Sequence, residues 1–514
     1  MSNLGFKNVK IKEVDSMYPA QDILMKTSQI KQYGSGIYAF DNIPLLVMDN
    51  IENVIKKHFN RMGCVEVRMP ILQQKELWQS SGRWDKYVSD GVMLVVDTDK
   101  NSYGLAPTAE EAITNFVNNR ITSYKQLPVY YYQIDTKFRN ELRNRGYLYR
   151  GKEFLMFDLY TFDKTEEDMN EIYDKIRNTY FEIFDELGLT LIPVAADNGA
   201  IGGSKSEEMM VLSESGEDTI LYDENSKQGI NIEVLDKENA EEYLLKYYNI
   251  KNISTLKKSK AIELGHIFAL GTKYSQSMDI KYVDCNNKEQ PFYMGCYGIG
   301  VSRVLGLVYE NNTIKENNQV IGYSLPLSVT PYYLTIIYHE TRKETSQEIY
   351  NQFIKNDIPV IIDDTNATIG EKIRNAKILG IPYIAILGKN TKDTEVELER
   401  VTLEDILEEL VGEIWDEHDE VIEYFSKVAD NKYIISCNAD LSDLFEKFDM
   451  NCNSADYDAN TVSGWVIQEL GQIPDVGDSF TYENLFVTVT KTDQRRVLEI
   501  SAEVIEEASD MTLK

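Results

Sequence analysis

The chain has 514 residues, more than a single hydrophobic core accommodates, so three or four domains are expected, and no apolar run approaches the ~20 residues that span a bilayer. Its five widely spaced cysteines form no CxxC pair and no signal peptide opens the chain, which argues against structural zinc and for a reducing, cytoplasmic compartment. The net charge of −31 argues against binding of nucleic acid. Residues 401–514, however, carry 27 acidic and 7 basic side chains and so account for most of this charge. A basic surface on the first 400 residues is therefore not excluded.

The first predicted element is an amphipathic helix over residues 45–62. Apolar side chains recur there at helical spacing, and Gly63 suits the left-handed cap that would end the helix. The segment CVEVRMP that follows alternates like a strand and closes at Pro70, which cannot donate to a sheet ladder. A core helix followed by an edge strand explains this pattern without any functional role.

Residues 104–114, GLAPTAEEAIT, predict a strand end, a turn at Pro107 and a helix. Thr108 and Glu110 at the helix start offer a hydroxyl and a carboxylate that could bind an ammonium group. The alternative is structural, with Thr108 as an N-cap and Glu111 three residues later, an arrangement that stabilises many helices. From this segment alone, the cap is favoured.

Residues 133–163 consist of two strand-like arms around a loop that is rich in arginine. The arginines are Arg139, Arg143, Arg145 and Arg150. A guanidinium is a planar fork of donors with a permanent charge, so it can bind a phosphate or carboxylate through two bonds at once. Arg139, two residues from Glu141, is the best candidate for this task. A solvated basic hairpin tip is the alternative.

The next stretch is predicted to be mostly scaffold. Residues 165–187 predict a surface helix that ends at Gly188. The glycine-rich loop DNGAIGGSKS at 197–206 lacks Walker spacing, so a phosphate-binding role there has weak support. Residues 223–262 are polar and rich in Lys and Asn, and they are expected to form a small insertion with a short helix near 240–248.

Two later segments carry further candidate residues. His266 lies in the apolar strand IELGHIFALGTKYS, where a lone histidine is usually structural. Residues 292–311 predict a strand that runs through three glycines into a helix bearing Arg303. The glycines permit close approach of a flat ligand, and the helix start favours negative charge. Arg303 could stack on a base.

Three of these segments, in this order, resemble the motifs of one enzyme class. Residues 45–70 are similar to motif 1, the dimer-interface helix and strand; FRNE at 138–141 is similar to motif 2, and GIGVSR at 298–303 to motif 3. The first 310 residues thus resemble a class II aminoacyl-tRNA synthetase, specifically the bacterial type of prolyl-tRNA synthetase. The segments that suggest proline are PTAEE at 107–111, SGRWDKY at 81–87, RGKEFLMFDLYTF at 150–162, GHIFALGTKYS at 265–275 and MGCYGIGVSR at 294–303.

The resemblance implies an α+β catalytic core, an antiparallel sheet with helices, over residues 1–325. It also implies roles for the matching residues. Thr108 and Glu110 would hold the substrate amine, and Arg139 would contact the carboxylate and the ATP α-phosphate. Glu141 would bind the adenine amino group. Attack of the substrate carboxylate on the α-phosphorus of ATP needs alignment and charge neutralisation from the protein rather than covalent chemistry.

For the rest of the site, the resemblance implies that Arg303 stacks on adenine and reaches the γ-phosphate, with Arg150 assisting. His266 and Cys296 would line the proline pocket. Magnesium would bridge the phosphates, although its protein ligands cannot be placed from the sequence. The implied partners are proline, ATP, tRNA(Pro) and a second copy of the chain in a homodimer, with no membrane.

The sequence departs from the family pattern in three places. Only about forty polar residues separate Tyr222 from Ile262, where many bacterial relatives carry an editing domain, so hydrolysis of mischarged tRNA in cis is not expected. Ala269 stands where the family usually has glutamine. After Gly203 the chain reads SKSEEM, with acids where a histidine is common.

Residues 331–400 alternate strand, helix, strand, helix and strand, which predicts a small parallel α/β domain. The domain, assigned to 326–400, resembles the anticodon-binding domain of class IIa synthetases. The arginine-bearing run usual in the family is replaced by DDTNATIGEK at 363–372. Lys372, Arg374 and Lys377 offer charge to a tRNA stem, although a charged helix face is also ordinary.

The remaining chain resembles a different family. The acidic helix VTLEDILEELVGEIWDEHDE at 401–420 is similar to the tail of a CBS domain, and a boundary is assigned at 425. Residues 426–510 resemble the small α+β transporter-associated domain of haemolysin-like magnesium and cobalt efflux proteins, with a helix ending at Gly471 and then a hairpin sheet. Either a natural fusion or a splice of two genes' sequences explains the join.

Two functions therefore remain open. The first is a prolyl-tRNA synthetase that forms prolyl-adenylate and esterifies tRNA. The second is a synthetase-like protein that binds or activates proline for another purpose, with the acidic tail as a regulatory module. The five residues that match the catalytic motifs favour the first, and the altered anticodon loop and the foreign tail favour the second. Those five are Thr108, Glu110, Arg139, Glu141 and Arg303.

Overall fold

A computed structural model describes residues 17–141, 146–224, 227–232, 245, 256–316, 319–389, 397–400, 424–429, 431–439, 441–448, 450, 461–492 and 496–504. The chain divides into two compact units, residues 1–410 and 411–514. Among the residues described, no helix combines the length and apolar character needed to cross a membrane.

The first unit alternates short helices with strands. Its helices are α1 (Pro19–Lys26), α2 (Asn42–Arg61), α3 (Lys75–Ser80), α4 (Trp84–Ser89), α5 (Glu110–Val117), α6 (Glu166–Glu186), α7 (Lys273–Ser277), α8 (Val301–Asn311), α9 (Lys343–Lys355) and α10 (Ile369–Leu379). Its strands are β1 (Ile30–Gly34), β2 (Ile37–Phe40), β3 (Val65–Glu66), β4 (Leu72–Gln74), β5 (Leu94–Asp97), β6 (Ser102–Leu105), β7 (Val129–Phe138), β8 (Glu153–Asp163), β9 (Ile192–Ala195), β10 (Lys205–Leu212), β11 (Asp218–Asp223), β12 (Gln228–Asn231), β13 (Lys257–Gly271), β14 (Lys281–Val283), β15 (Glu289–Pro291), β16 (Tyr293–Ile299), β17 (Thr313–Glu316), β18 (Gln319–Tyr323), β19 (Leu334–Tyr338), β20 (Val360–Asp363), β21 (Tyr383–Leu387) and β22 (Glu397–Arg400).

A nine-stranded sheet forms the centre of the first unit, in the order β10-β9-β12-β11-β13-β16-β8-β7-β3. Its long strands β7, β8, β16 and β13 are successive antiparallel neighbours. In their register, Tyr160 lies opposite Cys296, and Cys296 lies opposite Phe268. Residues distant in sequence are thereby brought to one face of the sheet, because alternate side chains share a face.

The two faces of this sheet have different roles. One face packs against α2, α6 and α8, with the Phe59 and Phe157 rings stacked at 4.6 Å and Tyr180 fully buried. The other packs against α5 and α7 through a second apolar cluster that includes Phe268 and Cys296. Helices α2, α6 and α8 cover one face, and the face that packs against α5 and α7 also borders a cavity.

The predicted elements of this unit appear with small shifts. The first predicted helix is α2, which starts three residues earlier, and Gly63 after it has a φ of 79°. The second is α6, capped by the Thr165 hydroxyl. The structure differs within 223–262, because β12 joins the main sheet and β13 already begins at Lys257. Apart from Leu245, the short helix predicted near 240–248 lies outside the described residues.

The domain assigned to 326–400 has the predicted parallel topology. Strands β20, β19 and β21 are parallel, and β22 adds an antiparallel edge. The expectation for Lys372 is wrong. Its ammonium is buried and donates to the Asp363 carbonyl at 2.7 Å, beneath the Tyr338 ring, because burial of an ammonium requires such partners. Arg374 remains exposed.

The second unit is a small α+β domain. It contains β23 (Phe425–Ala429), β24 (Lys432–Ser436), α11 (Leu441–Lys447), α12 (Val462–Leu470), β25 (Ser479–Tyr482), β26 (Leu485–Thr492) and β27 (Val497–Val504). The strands form one antiparallel sheet over a core centred on Trp465, which is fully buried. Helix α12 ends at Gly471, where φ is 70°, as predicted. The acidic helix predicted at 401–420 lies outside the described residues.

Candidate active site

One cavity of the first unit, about 100 Å³, lies on the face of the sheet opposite α2, α6 and α8, and we call it the main cavity because the predicted site residues line it. It is formed mainly by β8, β13 and β16, with α5 and the start of α8 at its ends. The eight predicted site residues all line it, and these are Thr108, Glu110, Arg139, Glu141, Arg150, His266, Cys296 and Arg303. The structure therefore brings together the eight residues predicted to bind proline and ATP, whereas the cationic residues predicted to bind tRNA lie on α10. Arg143 and Arg145 lie outside the described residues.

Arg139 follows the end of β7 and projects into the cavity. Its Nε donates to the Pro107 carbonyl at 3.2 Å, and its guanidinium lies 5.3 Å from the centre of the Phe154 ring. These contacts fix the side chain while leaving terminal donors beside the cavity. A guanidinium held in this way can accept an anionic ligand with little rearrangement.

Arg150 and Arg303 lie at the other end of the cavity and are held by acids. Arg150 contacts the carboxylates of Glu217 and Glu141, the latter at 3.8 Å. Arg303, on the first turn of α8, donates from Nε to the Tyr149 carbonyl at 2.8 Å and from Nη1 to the Glu263 carboxylate at 2.9 Å. This end of the cavity therefore contains interleaved positive and negative charges.

Thr108 and Glu111 do not form the helix cap that the sequence favoured. Helix α5 has Ala109 at its N-cap position without a side-chain cap bond, so that prediction is wrong. The Thr108 hydroxyl instead donates to the Glu110 carboxylate at 2.7 Å. The Tyr160 hydroxyl accepts from the Ala109 N–H at 3.0 Å, which leaves the hydroxyl of Thr108 directed at the acid.

The Glu110 carboxylate is fully buried and has two further interactions. Arg83 Nη1 lies 3.0 Å from it, and the Cys296 thiol donates to it across 3.2 Å. Burial raises the pKa of Glu110, but the charge of Arg83 and the hydrogen bond from Thr108 outweigh that effect and hold the pKa below its ordinary value. Glu110 is thus a carboxylate that stays ionised at the cavity wall.

His266 lies against Phe268, with ring centres 3.9 Å apart, and its Nδ1 is 3.4 Å from the Glu263 carboxylate. Burial raises the pKa of Glu263, but His266 and Arg303 together lower it below its ordinary value. Glu208, Glu263 and His266 also bring possible ligand atoms within 4.8 Å of one another. Because one donor is an imidazole, this set suits a transition metal better than magnesium.

Glycines form part of the cavity floor, as the sequence predicted. A Cβ atom on Gly298 would lie 2.4 Å from the Met156 Cε. Gly203 has a φ of 109°, and a Cβ there would lie 2.3 Å from the Ala269 carbonyl oxygen. A side chain at Gly298, which lines the cavity, would displace the flexible end of Met156, whereas one at Gly203, outside the cavity lining, would meet backbone.

The glycine-rich loop at 197–203 lies against a lysine on α7. The Lys273 ammonium donates to the carbonyls of Ala200 and Ile201 at 3.1 and 2.7 Å, and the Tyr274 hydroxyl donates to the second of these. Ile201 lines the cavity. The loop therefore contributes a wall of the site, a role that its lack of Walker spacing did not suggest.

Sequence reasoning missed three charged residues of the site. Arg83 lies within the quoted segment SGRWDKY, and Glu263 lies three residues before His266, but neither was singled out. Asp158 lines the cavity and forms a buried ion pair with Lys137 at 2.7 Å. The alternation of β8 could have placed Asp158 on the same face as Tyr160.

The chain matches three families in succession. The tRNA synthetase class II core domain (G, H, P, S and T) matches residues 93–312, the anticodon binding domain matches 333–414, and the transporter associated domain matches 426–506. Together with the antiparallel sheet and its cavity, these matches define a class II aminoacyl-tRNA synthetase core.

Relatives of known name narrow this class. The chain is 36% identical over 409 residues to a proline–tRNA ligase of Sulfurimonas denitrificans, a match that covers 76% of this chain and 93% of that one. It is 39% identical over 378 residues to a proline–tRNA ligase of Ehrlichia ruminantium, covering 71% and 87%. The chain belongs to the proline–tRNA ligase family.

Solved structures agree with this fold. The prolyl-tRNA synthetase of Giardia lamblia in complex with prolyl-adenylate has a TM-score of 0.60 and 17% identity, covering 76% of this chain and 73% of that one. The prolyl-tRNA synthetase of Cryptosporidium parvum complexed with L-proline and AMP has a TM-score of 0.59 and 16% identity, with the same coverage. At this identity the likeness shows a shared fold.

Proposed function

We propose that this chain activates proline with ATP to form prolyl-adenylate and then transfers the prolyl group to the 3′ end of tRNA(Pro). The observation that carries the proposal is the convergence of the eight predicted side chains on one cavity. Membership of the proline–tRNA ligase family supports it. The coverage of the first relative, 93% of its length, is consistent with an enzyme that has no inserted editing domain.

Proline would bind through its ammonium group at Glu110 and Thr108. The ionised Glu110 carboxylate supplies the charge, and the Thr108 hydroxyl orients that carboxylate from 2.7 Å. His266 and Cys296 border the same space and would enclose the pyrrolidine ring. A carboxylate in a largely buried site is a strong partner for a cation, since water does not screen the pair.

In the first step, a carboxylate oxygen of proline attacks the α-phosphorus of ATP, and the bond to the bridging oxygen breaks so that pyrophosphate leaves with the electron pair. Arg139 would contact the attacking carboxylate and the α-phosphate. Its contacts with Pro107 and Phe154 hold its charge where negative charge accumulates in the transition state. Such preorganised stabilisation is usually the largest contribution to catalysis.

The rest of ATP would extend toward Arg150 and Arg303. Glu141 would accept a hydrogen bond from the adenine amino group. Arg303 would stack on the base and reach the γ-phosphate, with Arg150 assisting. Both arginines border the cavity at this end.

The residues at this end also fit a magnesium ion. Magnesium prefers oxygen ligands, above all carboxylates and phosphates. Glu217, Asp218 and Glu263 line a smaller cavity beside Arg150 and Arg303 and would supply those carboxylates. When bound, the ion neutralises charge on the phosphates.

In the second step, a hydroxyl of the terminal ribose of tRNA attacks the prolyl carbonyl carbon, and AMP leaves. We also expect a homodimer through residues 45–70. Exposed apolar side chains at and beside this segment include Leu45, Val65 and Leu72, which a partner could cover. Light scattering should give twice the mass of the chain; a monomer at micromolar concentration would contradict this expectation.

The test is proline-dependent ATP–pyrophosphate exchange, followed by charging of total tRNA, on the full chain and on residues 1–400. Exchange and charging by both proteins are expected. No exchange by either would refute the proposal.

Exchange without charging would instead support a proline-activating protein with a regulatory tail. Two observations favour this second function enough to test it, namely the separate C-terminal unit and the burial of Lys372. Charging that appears only after truncation would assign an inhibitory role to the tail.

A further inference from the structure

Arg83 lies between two buried carboxylates and is itself only 3% exposed. Its Nη1 is 3.0 Å from the Glu110 carboxylate and 3.1 and 3.2 Å from the two oxygens of Glu111. Both acids are fully buried. Glu110 lines the main cavity, whereas Arg83 and Glu111 do not. Arg83 therefore sits behind the carboxylate that would receive the substrate amine.

Aromatic rings fix the guanidinium of Arg83 in place. Its central carbon lies 4.9 Å from the ring centre of Trp78, 4.5 Å from that of Tyr87 and 5.4 Å from that of Tyr274. Its Nη2 also donates to the Tyr87 hydroxyl. A cation surrounded by three rings and two carboxylates cannot swing into the cavity without losing all of these interactions.

The charges of this cluster do not cancel. Two carboxylates share one guanidinium, so with both acids ionised the cluster carries one negative charge. Like charges so close together oppose each other's ionisation. Burial raises the pKa of Glu111, with Glu110 adding to the effect and Arg83 opposing it, while the pKa of Glu110 is lowered. Arg83 Nη1 lies within 3.2 Å of both oxygens of Glu111 but bonds to only one oxygen of Glu110, so the charge that it leaves uncancelled is assigned to Glu110, which borders the cavity.

The other titratable groups around the cluster are distributed over several elements. Those that influence Arg83, Glu110 or Glu111 are Tyr87, Tyr160, Lys273, Tyr274 and Cys296. Lys273 is the cation among them, and its ammonium donates to the carbonyls of Ala200 and Ile201 rather than to either acid. The missing positive charge must then come from a ligand.

We propose that Arg83 is a positioning residue that balances Glu111 and leaves one negative charge of Glu110 facing the cavity, where the secondary ammonium group of the substrate pairs with it. The inference rests on the proposed function in that the substrate is taken to be proline. The inference adds that recognition of the amine depends on the net charge of Arg83, Glu110 and Glu111 together. The substrate contacts only Glu110 of these three.

The test is a charge-complementation cycle with Arg83→Gln, Glu111→Gln and the double variant. Arg83→Gln leaves the two buried acids without their cation, so both take up protons more readily and Glu110 loses its attraction for the amine. Glu111→Gln leaves Arg83 to neutralise Glu110 alone. Each single variant should weaken proline binding roughly 10- to 100-fold. The double variant again carries one negative charge and should bind within roughly tenfold of the parent protein.

Calorimetric titration of proline into the full chain measures this affinity without turnover. The KM for ATP should remain within roughly twofold in all variants, because the ATP end of the cavity is not altered. For Arg83→Gln, affinity for proline should recover as the pH is raised, because Glu110 then loses its proton. Arg177→Gln is the matched control, since it breaks the pair with Glu207 on the helical side of the sheet. It should leave proline binding unchanged.

A double variant no better than the weaker single variant would overturn the inference, as would an Arg83→Gln protein without the pH dependence. If Arg83→Gln does not fold, unchanged proline affinity in Glu111→Gln would overturn it equally well. If the parent protein binds proline but shows no ATP–pyrophosphate exchange, the proposed function is refuted. The proline affinities of the three variants then still decide the role of Arg83. No proline binding by the parent would overturn both.

Discussion

Replacement of Arg139 by alanine separates the chemistry of the site from its stability. The side chain donates to the Pro107 carbonyl at 3.2 Å and weakly to the Met156 sulfur at 3.8 Å, and it has one ring contact, to Phe154 at 5.3 Å. Because the side chain is only partly buried, these contacts should contribute about 1–2 kcal/mol to the free energy of unfolding. Removal of a preorganised charge at the reacting phosphate instead costs about 3–4 kcal/mol in the barrier, or roughly 10²- to 10³-fold in rate.

The expected result for Arg139→Ala is therefore a folded protein whose rate of proline-dependent ATP–pyrophosphate exchange falls at least roughly 100-fold. Exchange is measured at saturating proline and ATP, and urea unfolding gives the stability. Arg120→Ala is the control, since Arg120 is exposed, lies over the Phe116 ring and does not line the main cavity. Retained exchange in Arg139→Ala would refute the assignment of Arg139 to the reacting phosphate.

Two further predictions concern stability. Burial raises the pKa of Asp163 to about 7, and a hydrogen bond from Thr161 partly opposes this rise. Between about pH 4 and about pH 7 the folded protein therefore holds a proton that the unfolded chain has lost. The free energy of unfolding should fall as the pH rises through this range. Asp163→Asn should remove this fall and stabilise the protein above pH 7 by as much as about 4 kcal/mol, seen as a changed pH profile of urea unfolding; an unchanged profile would contradict it. Trp465→Ala should lower the free energy of unfolding of the second unit by about 3–5 kcal/mol and speed its proteolysis, because Trp465 is fully buried. The rate of ATP–pyrophosphate exchange should not change. Loss of exchange would show that the first unit depends on the second.

Local sequence patterns were sufficient for the long elements. Helix α6 was expected over 165–187 and forms over Glu166–Glu186, because its apolar stripe, its cap and the glycine after it all favour the same boundaries. The convergence of the eight site residues could be expected only through the resemblance to a family. Periodicity alone does not indicate that β8, β13 and β16 are neighbours, since the pairing of β8 with β16 joins residues more than a hundred positions apart.

Predictions failed where a side chain had two possible partners. Thr108 could cap a helix or orient a carboxylate, and only the packing of Tyr160 against the Ala109 N–H decides between them. Lys372 could face solvent or fold back, and the Asp363 carbonyl and the Tyr338 ring draw it inward. Arg83 was overlooked because its two acids follow 27 and 28 residues later. These choices depend on tertiary contacts, which a local pattern does not contain.

The acids that hold Arg150 and Arg303 have a consequence for ligand selection. Ordering a free arginine side chain costs about 2 kcal/mol of conformational entropy, and here folding has already met that cost. A ligand that arrives must, however, compete with the carboxylates of Glu217 and Glu263. A single weak anion gains too little by displacing these carboxylates. A chain of phosphates with its own cation can bind the arginines while the cation pairs with the displaced carboxylates. The site is thereby tuned against the ordinary anions of the cell.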